Sequence, residues 1–119
     1  KINLLAWVSG SCSDGAKFQV RGNTTLYTVC SDTTLDVSKW YHLVGVCGAD
    51  GLRMYVNGVL QADTDVITEC FDDLSGENFH IGREEGGTAT AFEGIIDDVR
   101  LYDRALSAEE VKRLYELGS

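Results

Sequence analysis

Trp40-Tyr41-His42-Leu43-Val44-Gly45-Val46-Cys47, Leu52-Arg53-Met54-Tyr55-Val56 and Val59-Leu60-Gln61-Ala62 are three short runs divided by Asp50-Gly51 and Asn57-Gly58. Aspartate or asparagine followed by glycine favours a two-residue hairpin turn, because both residues tolerate positive φ. The runs between are rich in β-branched and aromatic residues and too short for helices. The spacing therefore predicts a three-stranded meander over residues 41–62. Leu52, Met54 and Val56 share one parity and should face a core. Apolar residues occupy both parities of the first run, so both of its faces should be covered.

The neighbouring segments extend the pattern. Ile2 to Val8 is an apolar run of buried-strand type. Lys17-Phe18-Gln19-Val20-Arg21 alternates, and Thr25 to Cys30 follows after Gly22-Asn23, so the two should form a hairpin. Phe79-His80-Ile81-Gly82 reads as a short strand and Phe92 to Tyr102 as the longest one, with Ile95, Val99 and Leu101 on one face. The period changes at the end. Ser107-Ala108-Glu109-Glu110 is a capping box, Leu106 and Val111 hold the hydrophobic-staple positions, and Val111, Leu114 and Tyr115 form a helical stripe. Many strands and one short C-terminal helix predict an all-β fold, an antiparallel β-sandwich of jelly-roll type with that helix docked on it.

The chain has 119 residues, no proline and four cysteines, which fits one domain over 1–119. Ten basic against nineteen acidic side chains leave a net charge of -9. Such a surface repels phosphate backbones, so nucleic acid is not an expected partner. No apolar stretch reaches 18 residues, so no membrane insertion is expected. The start at Lys1 reads like the middle of a strand, as in a module of a longer precursor.

Cys12, Cys30, Cys47 and Cys70 show no Cys-x-x-Cys pair and no nearby Cys/His cluster, which argues against zinc. Four thiols in an acidic β-rich domain fit two disulfides in an oxidising compartment: extracellular, periplasmic or at the cell surface. Three pairings are open to four cysteines. Cys12–Cys30 with Cys47–Cys70 is the expected set, because it keeps both loops local.

Four segments together carry a family resemblance: Trp40-Tyr41-His42-Leu43-Val44-Gly45-Val46, Leu52 to Val59, Phe79-His80-Ile81-Gly82 and Phe92-Glu93-Gly94-Ile95-Ile96-Asp97-Asp98-Val99-Arg100-Leu101-Tyr102 continuing into the capping box. They resemble the laminin-G-like domains of bacterial secreted proteins, within the concanavalin A-like jelly rolls that also include pentraxins and many lectins. The resemblance implies a fold with further strands before Leu4, so the expected domain lacks the family's usual first strands. It also implies a sheet edge open to homodimerisation.

The resemblance points to calcium. Pentraxins hold it with a loop reading Gly-Gln-Glu-Gln-Asp and an early Asp-Asn pair. Here Gly82-Arg83-Glu84-Glu85-Gly86 places Glu84 and Glu85 on ligand positions, with Gly86 where an aspartate is expected; Asp14-Gly15 keeps the aspartate alone. One weak Ca2+ site is the expectation. Asp97 matches an aspartate that binds structural calcium in related jelly-roll glucanases, and its parity with Val99 and Leu101 places it inward. Asp98, of the other parity, should face solvent.

Sugar binding needs aromatic platforms and converging polar groups. Trp7 and Trp40 read as core, whereas Tyr27 and Tyr55 alternate outward and are the expected ligand-binding platforms. Catalysis finds no motif: the Glu-x-Asp-x-x-Glu strand of jelly-roll glucanases is absent, and His42 and His80 stand alone on strands. Asn23-Thr24-Thr25 fits a glycosylation acceptor, which matters only in a eukaryotic secretory host. The expected function is a non-catalytic carbohydrate-binding or adhesion module of a larger extracellular protein, with a carbohydrate or cell-surface protein as partner. The alternatives are a structural or protein-interaction spacer and a fragment of a glycoside-active enzyme.

Overall fold

Six strands and one helix follow the chain in order in the computed structural model, which describes residues 2–6, 12, 15–21, 25–67, 70 and 92–118. The strands are β1 (Ile2–Ala6), β2 (Gly15–Arg21), β3 (Leu26–Thr34), β4 (Leu43–Gly48), β5 (Gly51–Val56) and β6 (Val59–Leu60); the helix is α1 (Ala108–Gly118). They form two antiparallel three-stranded sheets, β1-β2-β3 and β4-β5-β6.

The expected hairpins formed. In the first sheet Phe18 pairs with Val29 and Val20 with Tyr27, so these four share one face. In the second, Leu43 pairs with Val56, Gly45 with Met54 and Cys47 with Leu52. Asn57 (φ 50°) and Gly58 (φ 78°) turn β5 into β6, both in the left-handed region that a type I′ turn demands.

Two cores result, one on each face of the second sheet. Ala16, Phe18, Val20 and Val29 of the first sheet meet Cys47, Leu52 and Met54 of the second. A Cβ on Gly45 would sit 2.6 Å from the Phe18 ring, so the sheets close here only because Gly45 has no side chain. On the opposite face Val46 and Tyr55 meet Leu106 and Val111 under the helix. Residues of both parities are therefore buried on β4, as the sequence implies. The capping box is made: the Glu110 amide donates to Ser107 Oγ (3.2 Å) and the Ser107 amide donates to Glu110 Oε1 (3.1 Å). Buried Leu106 and Val111 close the staple.

The outer edge of β3 is covered by side chains. The Cys30 amide donates to Asp63 Oδ2 (2.8 Å), the Asp32 amide to Gln61 Oε1 (2.9 Å), and the Ala62 amide to Asp32 Oδ1 (2.9 Å). Ladder donors that an edge strand would offer to another chain are used internally. Two disulfides complete the frame, Cys12–Cys30 across the first sheet and Cys47–Cys70 from β4, with Cα–Cα distances of 5.3 and 5.5 Å.

Two expectations fail. Residues 92–102 form no strand, and their expected inward row is open to solvent: Ile95 is 74% exposed, Val99 50% and Leu101 70%. Alternation makes a strand only beside a hydrogen-bonding neighbour, and neither described sheet extends to this segment. Asp98, at φ 57°, also takes the chain out of the extended region. The expected strand at 79–82 lies outside the described residues.

Candidate functional site

The connection from β3 to β4 presents the most exposed large aromatic side chain among the described residues. Asp36 builds it. Its Oδ1 accepts from the Ser38 amide (3.0 Å) and the Ser38 hydroxyl (2.8 Å), an Asx turn. These bonds, the backbone one first, hold the Asp36 carboxyl below the usual carboxylate range. The Asp36 amide donates in turn to the Tyr41 hydroxyl (2.9 Å). The loop is thus tied at both ends, and Trp40 between them stands 66% exposed. An exposed indole bordered in sequence by a carboxylate, a hydroxyl, an ammonium and a phenol can stack on a ligand face while polar neighbours bond its rim.

Trp40 corrects a sequence expectation, for it read as core. The run beginning at Trp40 was expected to be strand throughout, but β4 starts at Leu43, so strand parity does not govern Trp40. The signal was present in Asp36-Val37-Ser38-Lys39, a polar turn directly before the tryptophan.

The expected platforms differ from expectation. Tyr55 is buried (2% exposed) because α1 and Leu106 cover the face of β5 that alternation alone leaves to solvent. Tyr27 is half-buried and packs against the inter-sheet core, since its pairing with Val20 turns it inward. Neither stands outward as an open platform.

Of the expected calcium ligands, Asp97 alone is among the described residues. Asp97 is exposed rather than inward, and its Oδ1 accepts the Asp98 amide (2.8 Å). Asp98 pairs with Arg100 at 3.2 Å. Asp14, Glu84 and Glu85 lie outside the described residues. No group of three or more His, Cys, Asp or Glu able to hold a metal occurs among the described residues.

A shallow cavity of about 130 Å³ lies between Tyr102 and the Arg113, Leu114 and Leu117 face of α1. That is below the roughly 300 Å³ at which small-molecule sites begin. Beside it, Arg104 binds Glu110 bidentately, with Nη1 to Oε1 at 2.8 Å and Nη2 to Oε2. The guanidinium, then the Ser107 amide, pulls the Glu110 carboxyl down to about 2. This pair anchors the helix start and is committed to that role.

Residues 4–112 match Laminin_G_3, described as the Concanavalin A-like lectin/glucanases superfamily. The chain belongs to this superfamily. Domains of the laminin-G type are typically binding or adhesion modules. The chain is 28% identical over 94 residues to the mouse pentraxin-related protein PTX3, covering 71% of this chain and 25% of that protein. The solved structure of residues 221–444 of an S-layer domain-containing protein from Clostridium thermocellum ATCC 27405 superimposes with a TM-score of 0.61 at 24% identity. That match covers 85% of this chain and 51% of the other, and it shows a shared fold. The laminin-G-like chain thus spans a quarter of the one relative and about half of the other. No helix among the described residues is long and apolar enough to cross a membrane.

Proposed function

We propose that this laminin-G-like chain is a non-catalytic module that binds carbohydrate, working outside the cell or at its surface as part of a larger protein. The observation that carries the reading is Trp40, an exposed indole in a hydrogen-bonded polar loop. Saccharides offer one apolar face of C–H groups and a rim of hydroxyls. An aromatic plane beside Asp36, Ser38 and Tyr41 complements both features. The two disulfides support the oxidising compartment. A glycan array run with calcium present tests the reading. The wild-type chain should bind at least one saccharide class and Trp40→Ala should lose it. A blank array sinks the proposal.

Calcium belongs to this proposal as a stabiliser held through Asp14, Glu84 and Glu85, the expected ligands that lie outside the described residues. At a hundredfold excess over its dissociation constant it should add about 2.7 kcal/mol of stability. An unchanged melting temperature between chelator and millimolar calcium removes calcium from the account.

One observation favours a second reading, that of a protein-interaction spacer. Ile95, Val99 and Leu101 are exposed apolar side chains on one segment, the surface type that marks protein contacts. A homodimer that buries these side chains is the simplest such contact, and concentration-dependent sedimentation reads it directly.

A further inference from the structure

We propose that His42 is an acid-sensitive latch between the Asn57–Gly58 hairpin and helix α1, which its protonation loosens. The backbone of His42 is clamped on both sides by one residue. Its amide donates to Asn57 Oδ1 (2.9 Å), and its carbonyl accepts from the Asn57 amide (2.8 Å). The imidazole is thereby held against the helix, with its centroid 6.0 Å from the Tyr115 ring at 41°. The same helix lies on the turn itself. A Cβ on Gly58 would be 3.3 Å from Tyr115 Cδ2 and 3.5 Å from Lys112 Cα. Hairpin, imidazole and helix therefore form one three-sided contact.

The chemistry of the imidazole makes that contact conditional. His42 Nδ1 is buried and has no hydrogen-bond partner. A neutral imidazole can leave Nδ1 as a bare acceptor at modest cost. The imidazolium must carry a proton on both nitrogens, and a buried N–H without an acceptor is costly. The charged surroundings are mixed. Arg100 opposes protonation and Asp98 favours it, with burial the larger influence, so the imidazole is held below its ordinary value. Asp98 is itself paired with Arg100. Lys112 adds a cation on the helix side, Tyr115 borders the imidazole with its phenol ring, and Tyr41 precedes it in sequence. The sign follows. The unfolded chain takes up the proton near pH 6.5, before the folded one does. The latch is fully effective above that pH and weakens as pH falls below it. Acidification then frees the helix before the sheets.

The test is an NMR titration of the intact chain from pH 7.5 to 5.0, with His80→Gln leaving His42 as the single imidazole. Amide-exchange protection factors are read in parallel. The His42 midpoint should lie below 6.5, and protection at Val111 and Leu114 should fall at least threefold while that at Met54 holds. His42→Gln should abolish this pH dependence. A midpoint at or above 6.5, helix protection that stays constant, or the same loss in His42→Gln overturns the latch. If His42→Gln does not fold, the midpoint and the protection factors of the His80→Gln chain still decide.

Discussion

Tyr55, expected outward from strand alternation, and Trp40, expected in the core, exchange places. Tyr55 is sealed under Leu106 and α1, and Trp40 stands in water. Stability measurements separate the two directly. Tyr55→Ala should cost about 3 kcal/mol, the scale of an emptied aromatic site in a core. Trp40→Ala should change stability by no more than about 0.5 kcal/mol, as expected for an exposed side chain. Equal losses would contradict the assignment. At the helix start, Ser107→Ala should cost about 1 kcal/mol by removing the cap. The Glu110 carboxyl lies at about 2 against an ordinary 4.5, with the Arg104 bond as first cause. Its contribution is therefore present above pH 4.5 and lost as pH falls toward 2. Glu110→Gln should show less acid destabilisation over that window than wild type in thermal melts.

Turns and caps act within a few residues, and this is why they are legible in the chain. Asn57-Gly58 forms its type I′ turn and Ser107 with Glu110 its box, because each needs only neighbours along the sequence. The 92–102 segment is the opposite case. Its alternation is real in the sequence, yet a strand is a relation between two segments, and its partner is not written in its own residues. Tyr55 failed for a related reason. The identity of the layer above β5 depends on a helix some fifty residues later. The disulfides fall between these cases: locality favours the observed pairs, but only the sheet geometry brings Cys12 beside Cys30 and Cys47 beside Cys70. Thiol labelling of the denatured, unreduced chain should find no free thiol among the four. Replacing Cys47 and Cys70 together with alanine should cost about 3 kcal/mol, the chain-entropy scale for such a loop.

In the whole molecule, one sheet is shared between two cores. The inter-sheet core joins β2 and β3 to β4 and β5, and the helix core closes the outer face of that second sheet. This division explains how a chain of 119 residues keeps a fixed loop on display. The β3–β4 connection that carries Trp40 is anchored at each end by a strand that belongs to the inter-sheet core. Candidate ligand chemistry is less legible than fold, since parity points to Tyr27 and Tyr55, while a turn sets the exposed aromatic. The direct measurement is a saccharide titration of the folded chain, followed at the Trp40 indole N–H resonance and assigned by comparison with Trp40→Phe. A saturable shift of that resonance is expected, with at least a tenfold weaker affinity, about 1.4 kcal/mol, in Trp40→Ala. A saccharide that binds without moving the Trp40 resonance, or with equal affinity to Trp40→Ala, would contradict that expectation.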